Sequence, residues 1–391
     1  MKIKLTSLAF AAMLGLSAAP AAYAQADEAM LQRLKSFAAE QGTALEWESV
    51  EEYEDEDGNE VTALTNVRVG AGDEQLTISN LELVDVTEQD NGWRIGKVRV
   101  PSQQFEQEGT TVSVYGVAVD GLVLPAENAP DATAMYDSAS IREVFVSADG
   151  NELFSMNDFH VELTAEDGDT LGFTGAAEAF KLSLEGVEDQ ASRAAIEAMG
   201  YQNLEGFFEM EGSWNPGSGM LEVSQYDITV NDAGTFGISL TLGGYTRDFL
   251  ASLRQVQQQM AANPGGDNSA ANMAMLGLMQ QLTFHSARIQ FLDDSLTGRA
   301  LEFAASQQGA KPADIANQAK AVVPFMLMQL NNPELTTMAT QAVSAFLDDP
   351  QSLAITAEPA QPMPFALIMA GAMSAPQALP QQLGVKVVAN E

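Results

Sequence analysis

The sequence predicts an α+β protein, an extended curved antiparallel β-meander covered by a mainly helical C-terminal part. Three observations carry this prediction. Runs rich in Val, Ile, Leu and Thr, many alternating with polar residues, fill the chain from about residue 61 to 242. Asp57-Gly58, Asn91-Gly92, Asp149-Gly150 and Asp167-Gly168 punctuate them as hairpin turns. After Tyr245 the apolar period becomes helical.

Residues 1–24 have the pattern of a secretory signal peptide. Lys2 and Lys4 begin it, the apolar run Leu5–Leu16 follows, and Ala22-Tyr23-Ala24 offers a small-x-small cleavage site. Cleavage after Ala24 would leave Gln25 first and send the chain to the periplasm. No later apolar stretch is an unbroken membrane span, because Pro324, Pro362, Pro364 and Pro376 interrupt the candidates. No cysteine is present to carry a lipid anchor, a disulfide, a thiolate-bound metal or a catalytic thiol. No stable membrane anchor and no cofactor are expected.

Glu28 to Gln41 reads as an amphipathic helix with Met30, Leu34 and Phe37 on one face. Strands are expected at 61–69, 75–86, 93–100, 111–124, 141–148, 152–164, 171–184, 204–214, 221–230 and 235–242. Runs of ten or more residues would extend about 30 Å at ~3.3 Å per residue. One face of such a meander would be apolar and the other acidic. A helix interrupts at 188–199. Later helices are expected at 246–262, 270–281, 295–308, 312–330 and 333–347, with strands at 283–292, 352–357 and 384–389. The compositional division is therefore 1–24, 25–245 and 246–391, with a loop at Asn263–Ser269.

Charge separates the halves. Residues 25–250 hold 44 acids and 10 bases; residues 251–391 hold 10 acids and 6 bases. Without residues 1–24 the formal charge is 16 minus 54, or −38. That excess excludes nucleic-acid phosphates and anionic lipid headgroups as natural partners and suits a basic protein partner or cations.

No catalytic motif is present. His160 and His285, the two histidines, lie in strand-like runs. G-x-S-x-G, H-E-x-x-H and phosphate-loop patterns are absent. The acidic runs Glu54–Glu60 and Glu166–Asp169 could offer oxygens to calcium, but both read more simply as solvated turns. Asp293-Asp294 and Asp348-Asp349 fit helix ends. The chain therefore reads as non-enzymatic. An envelope-polymer hydrolase with paired carboxylates and an acidic cation- or partner-binding scaffold stand as alternatives.

The most suggestive chemistry is in the methionines. Met273, Met275, Met279, Met326, Met328 and Met369 occupy uncharged stretches of the second half. Thioether side chains adapt to irregular apolar ligands, so these six are candidates to line a groove for a lipid, another apolar ligand or a partner helix. Ordinary core packing is the simpler account of them.

Arg288–Leu301, Pro312–Ile315, Phe346–Pro350, Pro359–Pro364 and the earlier Gly212-Ser-Trp-Asn-Pro-Gly-Ser-Gly219 resemble a group of uncharacterised exported proteins of alphaproteobacteria. The long meander is also similar in architecture to AsmA-like and YdgA-like envelope proteins. The resemblance implies work in envelope or lipid maintenance and carries no functional residues with it.

Overall fold

The computed structural model describes residues 28–40, 43–70, 75–89, 92–107, 109–127, 135–261, 268–328 and 331–391. The signal-peptide segment, Asn91 and most of the 263–269 loop lie outside them. Strands in both units pair antiparallel and the helices lie mainly in the C-terminal part, so the protein is α+β. Two compact units divide at Leu163/Thr164. The compositional change near residue 246 falls inside the second unit, where strands give way to helices.

The first unit opens with α1 (Glu28–Glu40), followed by β1 (Leu45–Glu46), β2 (Ser49–Glu54), β3 (Glu60–Val69), β4 (Leu76–Gln89), β5 (Gly92–Gln107), β6 (Thr110–Pro125), β7 (Ser138–Ala148) and β8 (Asn151–Ala165). β1 and β2 both pair with β3, and the remaining strands follow in sequence order as a meander. Met30, Leu31, Leu34, Phe37 and Ala38 recur at helical spacing and are buried, which sets α1 on the sheet. They pack with Leu64, Leu83, Ile95, Val98 and Leu124 in one core. This apolar face is therefore covered by its own N-terminal helix, so the helical cover is not confined to the C-terminal part.

Simple alternation fails in β4. Leu83 pairs with Val98 and Val86 pairs with Ile95, yet all four pack in the same core. Between them Asp85 has a φ of 51°, and its left-handed backbone re-phases the strand by one residue. The opposite face carries a charged row. Arg99 Nε donates to Glu82 Oε2 at 2.9 Å, and Arg99 Nη2 donates to Asp55 Oδ2 at 3.2 Å. That ties β5 to β4 and to the β2–β3 turn.

The second unit continues with β9 (Leu171–Ser183), α2 (Gln190–Met199), β10 (Asn203–Asn215), β11 (Met220–Val230) and β12 (Gly234–Gly243). A helical hairpin follows, α3 (Arg247–Ala261) and α4 (Ser269–Met279), then β13 (Thr283–Asp293). Next come α5 (Leu296–Gln308), α6 (Pro312–Leu327), α7 (Pro333–Asp348), β14 (Ser352–Ala357), β15 (Met363–Pro364), α8 (Phe365–Ser374), α9 (Leu379–Gln382) and β16 (Lys386–Ala389). β9 through β14 pair in order, β16 closes on β14, and β15 adds to the end of β13.

Helix ends follow capping chemistry. Asp189 accepts from the Ser192 N–H, and Gly200 ends α2 in the left-handed region. Asn332 accepts from the Leu335 N–H, with Pro333 at the first position of α7. At α5 the cap comes from Asp293, which accepts from the Thr297 N–H at 2.8 Å. Only one described hairpin has both central residues at positive φ, Asp149-Gly150 at 52° and 79°. Asp57-Gly58 instead forms a wider turn, held by Asp55 Oδ1 accepting from the N–H groups of Asp57 and Asn59.

Candidate functional site

The pairing register assembles one apolar face in the second unit. Phe208, Ile228, Phe236, Phe291 and Leu353 stand opposite one another across β10 to β14. One step along, Ile289 and Ile355 pair, and Val387 pairs with Ile355. Directly opposed residues share a face, so these rows form one surface. At its β14–β16 edge α7 covers it. Ala339, Ala342, Leu335 and Met338 pack with Leu353, Val387 and Ala389. Phe346 meets Phe291 edge to face at 6.3 Å.

The cover stops there. Ile228, Phe236, Ile289 and Ile355 are 38–49% exposed, as is Tyr226 on β11. Among the described residues, α7 covers the β14–β16 edge and Phe365 of α8 lies against Phe284 at the far end of β13, while the middle rows stay about half exposed. The four strands β11 to β14 span ~14 Å at the ordinary inter-strand spacing. A contiguous apolar surface left in water is the feature that marks interaction sites.

The reverse face is polar and better packed. Ser224, Gln225, Asp227, Ser239, Arg288 and Gln290 ring a shallow depression of about 100 Å³ floored by Gly237. Gln225 Nε2 donates to Asp227 Oδ2 at 3.0 Å, and Arg288 Nε donates to Gln290 Oε1 at 3.0 Å. A Cβ on Gly237 would lie 2.5 Å from Asp227 Oδ1, so only glycine leaves this floor open. Asp227 is the one carboxylate in the lining, whereas glycoside hydrolysis uses two.

The six methionines are dispersed. Met275 and Met279 pack with Phe249, Val256, Leu278 and Phe365 in the core of the α3–α4 hairpin. Met369 is half-buried on α8, outside that cluster. Met273, Met326 and Met328 are exposed. His160, on β8 of the first unit, has Nδ1 3.4 Å from the Asp158 carbonyl oxygen. His285, on β13, stands beside Gly243 in the second unit. Among the described residues no group of three or more His, Asp or Glu is placed to hold a metal ion.

The sequence signatures prove to be joints. In Gly212–Gly219, Asn215 Oδ1 accepts from the N–H groups of Gly217 and Ser218, while its Nδ2 donates to Thr170 Oγ1 at 2.9 Å. Gly219 turns at a φ of 73°. In Arg288–Leu301, the buried Ala233 carbonyl accepts from the N–H groups of Asp294, Ser295 and Leu296. Arg299 donates to the Met199 carbonyl at 3.0 Å and lies over the Tyr201 ring. Tyr201 in turn donates to the Asp232 carbonyl at 3.2 Å. These bonds dock α2 and α5 on the β11–β12 turn.

A family model described only as "Uncharacterized protein" matches residues 227–390. That span holds Phe236, Ile289 and Ile355 of the exposed apolar rows, most of the polar depression and α3 to α9. No curated protein matches the chain. No described helix is long and apolar enough to cross a membrane.

Proposed function

We propose that this chain is a non-enzymatic periplasmic protein of envelope maintenance, exported by cleavage after Ala24, that holds an apolar ligand of the acyl-chain type on its second unit. The carrying observation is the uncovered face of Ile228, Phe236, Ile289 and Ile355 beside the α7 cover. Such a face is costly in water, at roughly 25 cal/mol for each Å² of apolar surface left wet. An acyl chain laid across β11 to β14 would remove that cost without needing charge complementarity. This suits a chain with 54 acidic and 18 basic residues. The resemblance to exported envelope proteins points the same way.

Titration with a fluorescent fatty-acid probe tests the reading. Saturable binding is expected, and Phe236→Asp with Ile289→Asp should reduce it by at least about tenfold, since each side chain contributes ~1.5–3 kcal/mol when buried. Both side chains are only about half exposed, so the double variant is compared with wild type by far-UV circular dichroism, and Phe236→Ser with Ile289→Ser carries the same test if it fails to fold. A wild-type chain that binds no probe, and carries no lipid in native mass spectrometry, would overturn it. The export step predicts a mature N-terminus at Gln25 in a periplasmic extract.

A further inference from the structure

We propose that the corner of the second unit formed by α6 and α8 docks on the surface of an electrically neutral lipid bilayer. The most exposed large apolar side chains of these helices are Val322, Phe325, Met326 and Met328 at the end of α6, and Leu367 and Met373 on α8, at 51–89% exposure. The segments that follow the two helices are joined by a hydrogen bond. Asn332 Nδ2, just after α6, donates to the Gln377 carbonyl, just after α8, at 2.9 Å. Met328 and Met373 each lie four residues before one of these bonded residues.

Charge identifies the occupant. Residues 321–333 and 359–385 contain no Asp, Glu, Lys, Arg or His, in a chain with a formal charge of −36. A protein partner is held in register by a polar or charged rim, and these stretches offer no charge to read. A second copy would bring the same uncharged stretches, with no opposite charge to set its register. A neutral bilayer needs only apolar side chains that can enter its interface, which Phe, Met and Leu supply. The same charge should keep the chain off anionic lipid, so the expected preference is opposite to that of most peripheral proteins.

This inference rests on the apolar-ligand reading only for its purpose, the bilayer being where the acyl ligand is collected. Flotation with vesicles of phosphatidylcholine, and separately of phosphatidylglycerol, tests it. The protein should float with the neutral vesicles and less with the anionic ones at low salt. Phe325→Asp with Met373→Asp should lower neutral-vesicle binding by at least about tenfold, with the far-UV circular dichroism and the fatty-acid titration unchanged. If that pair fails to fold, Leu367→Asp carries the same test. A wild-type chain that stays unbound, variants that float like wild type, or a preference for anionic vesicles would overturn the proposal. Flotation without fatty-acid binding would support docking while removing the acyl-ligand reading.

Discussion

Trp214 Nε1 donates a hydrogen bond to the Tyr245 carbonyl at 2.7 Å, and the two rings meet edge to face with centroids 6.4 Å apart. Tyr245 also packs against Phe249, the most deeply buried residue of the helical hairpin core. Its N–H donates to the Gly219 carbonyl. The point where strand gives way to helix is thus fastened to the β10–β11 turn from both sides. Trp214→Phe keeps most of the ring contact and strands a half-buried carbonyl. It should cost about 1–2 kcal/mol, read as a lowered urea midpoint at unchanged m-value.

Arg33 is buried to 6% exposure on α1, with Nε donating to the Pro125 carbonyl at 2.5 Å. Its Nη1 donates to Ser36 Oγ and pairs with Glu40. The bond to Pro125 sets the helix against the end of β6. Arg33→Met retains the apolar stem and removes the donors. It should cost about 2 kcal/mol, mainly from the unsatisfied Pro125 carbonyl. Amide hydrogen exchange should show the added opening in α1 and β6 before other segments of the first unit.

Gly212 faces Phe173 across β9 and β10, and a Cβ there would lie 2.4 Å from the Phe173 ring and 2.2 Å from the Glu222 carbonyl oxygen. Gly212→Ala should therefore destabilise by about 2–3 kcal/mol through overpacking. Phe173→Leu, which frees the ring's volume, should recover only part of that loss, because the Glu222 carbonyl cannot retreat. Full additivity of the two changes in thermal melts would contradict this coupling.

These joints explain what sequence could and could not disclose. Helix α1 and the long strands were legible because Met30, Leu34 and Phe37, and the alternating valines of β6, repeat at the period of their element. β2 was missed because Ser49–Glu54 carries three glutamates, and its pairing with β3 overrides a weak intrinsic preference. α8 was missed because Pro359–Val385 is uniformly uncharged and gives no period to read. The methionine candidates divided for a similar reason. Met275, Leu278 and Met279 share a helix face by spacing, but that face finds its cover only once α3 folds back, and Met273 falls on the other side of the same helix. The exposed Ile228–Phe236 pair was legible as strand alternation. Its lack of cover was not, since cover depends on where α7 lands.

Asp55 shows how pH should act on the first unit. The Asn59 backbone and side-chain amides, then Arg99, hold its carboxyl below the ordinary aspartate range. A carboxyl whose pKa is depressed in the fold binds its proton less readily there than in the unfolded chain. Its stabilising effect is therefore complete above the unfolded value of about 3.9 and is lost as pH falls through the lower folded value. Asp55→Asn removes the charge at every pH and should flatten the acid limb of the stability curve below about pH 4. Carboxyl NMR titration of wild type should place Asp55 among the lowest aspartates. An ordinary value there, or an acid limb unchanged in Asp55→Asn, would show that the β2–β3 turn is held by its backbone alone.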